Sequence, residues 1–166
     1  FGSRRNGGFA ERLNVNQWNL IKVPDGLSIE DCALIEPSAV ALHAVEKLNL
    51  KIEEPSQICI LGAGFIGLIA VQIINLIYPK CEIIIVDRNK YKLDIAAKYG
   101  VKSQWVSDSK ALENFVSENE NRFNKVIELI GSPKTFSAAL QIASQMACVV
   151  WGGNITGDLT LEKSQV

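Results

Sequence analysis

Histidine is nearly missing from this 166-residue chain: His43 is its only one, and methionine too occurs once. The four cysteines, Cys32, Cys59, Cys81 and Cys148, include no Cys-x-x-Cys pair. Close pairs of Cys or His ligands, which a structural zinc site needs, are therefore lacking. Neither charge predominates. Lysine and arginine total 17, aspartate and glutamate 18, and the formal net charge is −1. Without a basic excess or a Lys/Arg stretch, the electrostatic footprint of a nucleic-acid partner is absent. No charged-then-apolar leader opens the sequence. Cys59 and Cys148 fall in apolar runs and read as small buried hydrophobes. Such unpaired thiols imply a reducing, cytoplasmic compartment.

Apolar material is plentiful. Hydrophobic residues make up 48% of the chain and charged ones 21%, which suits a packed core and excludes wholesale disorder. Residues 55–79 carry no charge, a length sufficient to cross a bilayer as a helix. Gly62, Gly64 and Gly67 interrupt that stretch directly after Ile58-Cys59-Ile60-Leu61. A strand, a glycine turn and a helix buried on most sides explain the run better than a membrane span.

After Leu50, Val/Ile-rich runs at 57–61, 82–86, 104–106, 125–130 and 147–151 predict strands. Helical signals separate them, at 65–78, 89–99 (closed by Gly100), 108–118 and from Ser132-Pro133 to 145. Ala111, Leu112, Phe115 and Val116 share one face of the third of these helices. Strands alternating with helices give a doubly wound α/β domain with a parallel sheet. Five of the six strands of a complete Rossmann sheet are expected. Residues 7–13 and 19–23 look like strands, Pro24-Asp25-Gly26 like a turn, and 28–48 like a helix restarted at Glu36-Pro37. Two strands and a helix bury too little to stand alone. The expected organisation is thus residues 1–36 as the tail of a preceding domain and 37–166 as a truncated doubly wound domain. Trp18, Trp105 and Trp151 read as core or interface.

Gly62-Ala63-Gly64-Phe65-Ile66-Gly67 fits G-x-G-x-x-G. The pattern is informative because it follows a predicted strand and opens a predicted helix. Gly62 would allow the tight turn, Gly64 the close approach of a pyrophosphate, and Gly67 the packing of helix on strand. Phe65 and Ile66 open the helix on which the phosphates would sit. Asp87 ends the second predicted strand, 20 residues after Gly67. A carboxylate there accepts hydrogen bonds from ribose hydroxyls and repels a 2′-phosphate, favouring NAD over NADP. Arg88 follows, facing solvent or softening that preference. S-adenosylmethionine or a flavin nucleotide is the competing ligand class.

Gly7-Gly8-Phe9-Ala10-Glu11, Val23-Pro24-Asp25-Gly26-Leu27-Ser28 and the segment from Leu34 through Glu36-Pro37 to Ala44, followed by residues 61–68, resemble the zinc-dependent medium-chain dehydrogenases. The Glu-Pro element is similar to that of the polyol branch, which includes sorbitol, threonine and sugar-alcohol phosphate dehydrogenases. Residues 2–5 and 153–161 are most similar to the branch members that use phosphorylated sugar alcohols. The resemblance implies a GroES-like catalytic domain ahead of the Rossmann domain, a catalytic zinc, NAD, and a polyol or polyol-phosphate substrate. It implies a homodimer or homotetramer as well. Glu36 matches the position that ligates the metal or bonds its water, with the remaining ligands outside this chain. Read from its residues alone, Glu36 is equally a helix-start carboxylate favoured by the dipole. His43, two helical turns on, reads as a satisfied helix histidine, since one histidine makes no site. Arg4 and Arg5 either grip a substrate phosphate through forked guanidinium bonds or sit in a solvated loop. A non-catalytic NAD(H)-binding module is the alternative from a different class.

Overall fold

The computed structural model describes residues 6–154 and 158–159. The chain divides into two compact units, Phe1–Leu34 and Ile35–Val166. In the first, the expected strands at 7–13 and 19–23 do not form. A 3-10 turn occupies Gln17–Asn19, its N–H of Trp18 bonded to Asn16 Oδ1 at 3.1 Å. Helix α1 (Ile29–Cys32) is capped by Ser28, whose hydroxyl oxygen accepts from Asp31 N–H at 3.0 Å. None of this unit's described residues is buried. Strands need a neighbouring ladder and an apolar face to cover, and this segment supplies neither by itself. Arg4 and Arg5 lie outside the described residues.

The second unit follows the expected alternation. Its elements are α2 (Ile35–Lys47), β1 (Gln57–Leu61), α3 (Phe65–Ile77), β2 (Glu82–Asp87), α4 (Lys90–Ala97), β3 (Lys102–Trp105), α5 (Ser109–Glu118), β4 (Phe123–Glu128), α6 (Pro133–Ile142) and β5 (Ala143–Trp151). The five strands are parallel in the order β3-β2-β1-β4-β5. The order reverses at β1, whose two neighbours β2 and β4 leave a gap between the loops at their C-terminal ends. Such a switch point is where open α/β sheets bind ligands.

Side chains alternate across β1. Ile58 and Ile60 join Val45, Leu48, Val71, Ile74 and Ile85 in one core layer, while Cys59 and Leu61 join Phe115, Phe123, Val126 and Ile142 in the other. Strands covered on both faces explain the near-continuous Ile/Val runs. Ala111, Leu112 and Val116 pack with buried Phe115 against the second layer, as their spacing predicts. Ser132 caps α6 through Thr135 N–H at 3.1 Å, with Pro133 at the first helical position.

Several expectations are corrected. Helix α6 ends at Ile142 rather than 145, and β5 starts at once. Ala143 pairs with Phe123, but the ladder resumes only at Lys125 with Cys148. The surplus residues interrupt the ladder, and exposed Met146 among them takes φ +61°. Cys148 is half-buried rather than enclosed. The tryptophans are not core residues: Trp18 is 83%, Trp105 52% and Trp151 43% exposed. Trp105 donates its indole N–H to Arg88 O at 3.0 Å, and Trp151 tilts against Phe136. Strand β3, at one edge of the sheet, has all four residues exposed. Among the described residues, no helix is long and apolar enough to cross a membrane.

Candidate functional site

The glycine turn sits where β1 hands over to α3. Gly62 has φ +113°, a value that disfavours any residue with a Cβ, and its N–H extends the ladder to Val86 O at 2.8 Å. A Cβ on Gly67 would overlap the Gly62 carbonyl oxygen, so only glycine lets α3 start this close to the strand. A Cβ on Gly64 would meet nothing within 4 Å. Gly64 therefore faces open space, as a residue does where another molecule's atoms must come close. It also has no side chain with which to cap α3. The first intrahelical bond runs from Leu68 N–H to Gly64 O at 2.9 Å. Helix geometry leaves the N–H groups of Phe65, Ile66 and Gly67 for an outside acceptor, and the helix dipole favours an anion there.

Beside the turn lies a crevice of about 520 Å³, whose walls include Gly62, Gly64, Asp87, Arg88, Ile130 and Thr135. Asp87 is 8% exposed, with both carboxylate oxygens already in use. Oδ2 accepts from Ala63 N–H at 2.7 Å and Oδ1 from Asn89 N–H at 2.8 Å. The residue thus fastens the glycine turn to β2, and each oxygen keeps a lone pair for a ligand hydroxyl. Arg88 is exposed on the same wall. Asp108, also on the crevice wall, accepts from Ala111 N–H at 2.9 Å. That bond holds its carboxyl below the ordinary aspartate range. A second groove, about 460 Å³ between α5 and α6, has no comparable backbone cradle.

Of the sequence-predicted residues, the fold brings together Gly62, Gly64, Gly67, Asp87 and Arg88. Phe65 and Ile66 adjoin them through the backbone. The Phe65 side chain is 52% exposed and that of Ile66 packs onto the core, and neither lines the crevice. Glu36 lies apart, exposed in the first turn of α2. His43 is exposed, with Nδ1 3.9 Å from a carboxylate oxygen of Glu46 one turn along the same helix. Among the described residues no three His, Cys, Asp or Glu side chains converge on one point, so they do not by themselves form a zinc site. Sequence reasoning overlooked Glu128, a fully buried carboxylate at the end of β4. The signal was present as a single charge inside the apolar run Val126-Ile127-Glu128-Leu129-Ile130.

Comparison with known proteins bears on this geometry. The family model for zinc-binding dehydrogenases matches residues 66–166. Galactitol 1-phosphate 5-dehydrogenase of Escherichia coli K12 is 36% identical over 96% of this chain and 46% of its own length. An L-threonine 3-dehydrogenase of Yersinia enterocolitica is 29% identical over 99% of this chain and 48% of its own. The chain thus spans about half the length of these relatives. The crystal structure of E. coli galactitol-1-phosphate dehydrogenase superposes with a TM-score of 0.80 at 32% identity, covering 99% of this chain and 47% of that one. A short chain alcohol dehydrogenase of E. coli CFT073, solved with NADH, shares the fold at TM-score 0.85 and 23% identity, over 99% and 48% of the two chains. With the family model matching well over half of its residues, the chain belongs to the zinc-binding dehydrogenases.

Proposed function

We propose that this chain is the NAD-binding part of a zinc-dependent dehydrogenase that oxidises a secondary alcohol of a sugar alcohol or its phosphate. The favoured reaction is galactitol 1-phosphate to tagatose 6-phosphate. The observation that carries the cofactor reading is the open Gly64 at an uncapped helix start, beside Asp87 on the same crevice. The substrate reading is supported by the 36% identity to the galactitol 1-phosphate enzyme.

Each residue has a task in that reading. Gly64 admits the pyrophosphate, and the N–H groups of Phe65, Ile66 and Gly67 donate to its oxygens. Asp87 accepts from the adenosine ribose hydroxyls, and its charge opposes a 2′-phosphate, selecting NAD. Arg88 borders the same ribose. Leu129 and Ile130 form an apolar stretch of the crevice wall. Bound there, NAD supplies the hydride acceptor. Glu36 lends one carboxylate toward a metal whose other ligands lie outside this chain. Arg4 and Arg5 grip the substrate phosphate. Residues 1–36 extend a GroES-like catalytic domain, and the enzyme works in the cytoplasm as a homodimer or homotetramer.

The test is turnover by the intact enzyme with NAD and zinc, comparing kcat/KM for galactitol 1-phosphate, galactitol and L-threonine. A strong preference for the phosphate ester is expected. Equal rates with galactitol would remove the phosphate specificity. Preference for L-threonine would favour the second reading, to which the 29% identity with the threonine enzyme points.

A further inference from the structure

We propose that Glu128 is a positioning residue for the half of the crevice remote from Asp87, acting through the loop that follows β4. The inference rests on the dinucleotide reading given above.

Glu128 is 0% exposed, and a carboxylate buried that deeply is tolerated only when its oxygens are satisfied. Here Oε1 accepts from Ile130 N–H at 2.9 Å, Gly131 N–H at 2.9 Å and the Thr135 hydroxyl at 2.8 Å. Oε2 accepts from Gly131 N–H at 3.1 Å. The same residue's carbonyl oxygen accepts from Gly152 N–H at 2.8 Å and Gly153 N–H at 3.0 Å, beyond the end of β5. One side chain and its carbonyl therefore tie together the loop after β4, the first turn of α6 and the segment after β5. Two further observations show how little freedom the arrangement has. Gly131 has φ +78°, and a Cβ on Gly153 would lie 2.6 Å from Glu128 Oε2.

The tied loop is a wall of the ligand crevice and a neighbour of the glycine turn. Leu129 N–H bonds to Leu61 O at 2.9 Å, the last residue before the turn. A Cβ built on Gly62 would meet Ile130 Cγ1 at 3.1 Å and Leu129 Cβ at 3.4 Å. The loop thus packs directly on Gly62, so a shift of Leu129 and Ile130 moves the crevice wall beside the glycine turn. Strand order fixes which half of a ligand is affected. Asp87 lies at the end of β2, on one side of β1, and Glu128 lies at the end of β4, on the other. A dinucleotide crossing the glycine turn with its adenosine on Asp87 places its nicotinamide half along the loop that Glu128 holds. Glu128 touches no ligand in this arrangement. Its effect passes through backbone it has fixed.

The experiment is a titration of the 166-residue chain with NADH and, separately, with ADP, for the unaltered protein, Glu128→Gln, Thr135→Val and Asp87→Ala. ADP reports the adenosine half alone. The glutamine amide turns one acceptor into a donor facing Gly131 N–H, and the valine removes the 2.8 Å hydroxyl bond while leaving the carboxylate in place. Both variants are expected to weaken NADH at least tenfold and ADP less than twofold. Asp87→Ala should weaken both. Should Glu128→Gln fail to fold, Thr135→Val carries the same comparison. Equal weakening of NADH and ADP in these variants would reduce Glu128 to a general structural residue and overturn the proposal. So would unchanged NADH affinity. Absence of NADH binding by the unaltered chain would overturn the cofactor reading, and this assignment with it.

Discussion

Met146 shows how a single backbone angle can be costly. At φ +61° an L-residue's Cβ crowds the adjoining peptide, at roughly 1–2 kcal/mol. The side chain is fully exposed, so it gains nothing in return from packing. Met146→Gly removes the crowding but gives the unfolded chain more freedom, which offsets part of the gain. The expected net effect is stabilisation by about 0.5–1 kcal/mol, read as a higher midpoint in urea. Cys59 makes a complementary case. Burial alone pushes its thiol well above the usual cysteine range, because the thiolate would lose its water. The thiolate is the reactive form. Iodoacetamide at pH 8 should therefore leave Cys59 unlabelled in the native chain and label it after denaturation, as peptide mass spectrometry would show. Labelling of the native thiol at the denatured rate would contradict its enclosure. Cys59 was legible in the sequence because an apolar strand surrounds it. Met146 was not, since nothing in Gln145-Met146-Ala147 announces a left-handed turn.

Among the elements, α5 depends on its first residue pair. Asp108 caps the helix through Ala111 N–H, and that bond lowers its carboxyl's pKa in the folded chain. A depressed native pKa contributes stability above the unfolded value, near 4, and loses it as pH falls through the native one. Asp108→Ala should accordingly lower Tm at pH 7, with the deficit shrinking below pH 4 and vanishing once the native carboxyl is protonated. A deficit of equal size at pH 7 and pH 3 would mean that packing, rather than the charged cap, is responsible. Caps and turns were the most readable part of the elements: Ser132-Pro133 opens α6 and Gly62 makes the turn after β1, each where its chemistry requires. Edges of strands were less so. β3 reads Lys-Ser-Gln-Trp, with no inward face to set a period, so its observed start at Lys102 precedes the expected one. The strands expected at 7–13 and 19–23 failed for a different reason. Their apolar residues matched a strand pattern, but pairing is a property of two segments and cannot be read from one.

For the whole molecule, the alternation of Ile/Val runs with helices disclosed the parallel sheet, and G-x-G-x-x-G with Asp87 disclosed one wall of the crevice. The opposite wall was hidden because it is assembled from β4, α6 and the end of β5 together, through a carboxylate that looks out of place in an apolar run. A ligand bound across both walls must stabilise the fold by mass action. At 100 times its Kd, NADH should add about 2.7 kcal/mol and raise Tm by several degrees. NADPH at the same concentration should raise it far less, since Asp87 opposes the extra phosphate. Equal shifts from the two cofactors would remove Asp87 as the selector.

The exposed strand at the end of the sheet has a consequence for the protein in concentrated solution. A parallel sheet of isoleucine and valine ending in a bare apolar strand would recruit copies of itself by continuing its ladder. Here it ends in Lys102-Ser103-Gln104, with Lys102 3.8 Å from Glu82 on the neighbouring strand. A hydrated charge at that edge penalises an incoming strand before its hydrogen bonds can form. The polar strand thus guards this edge of the sheet against the addition of a further strand.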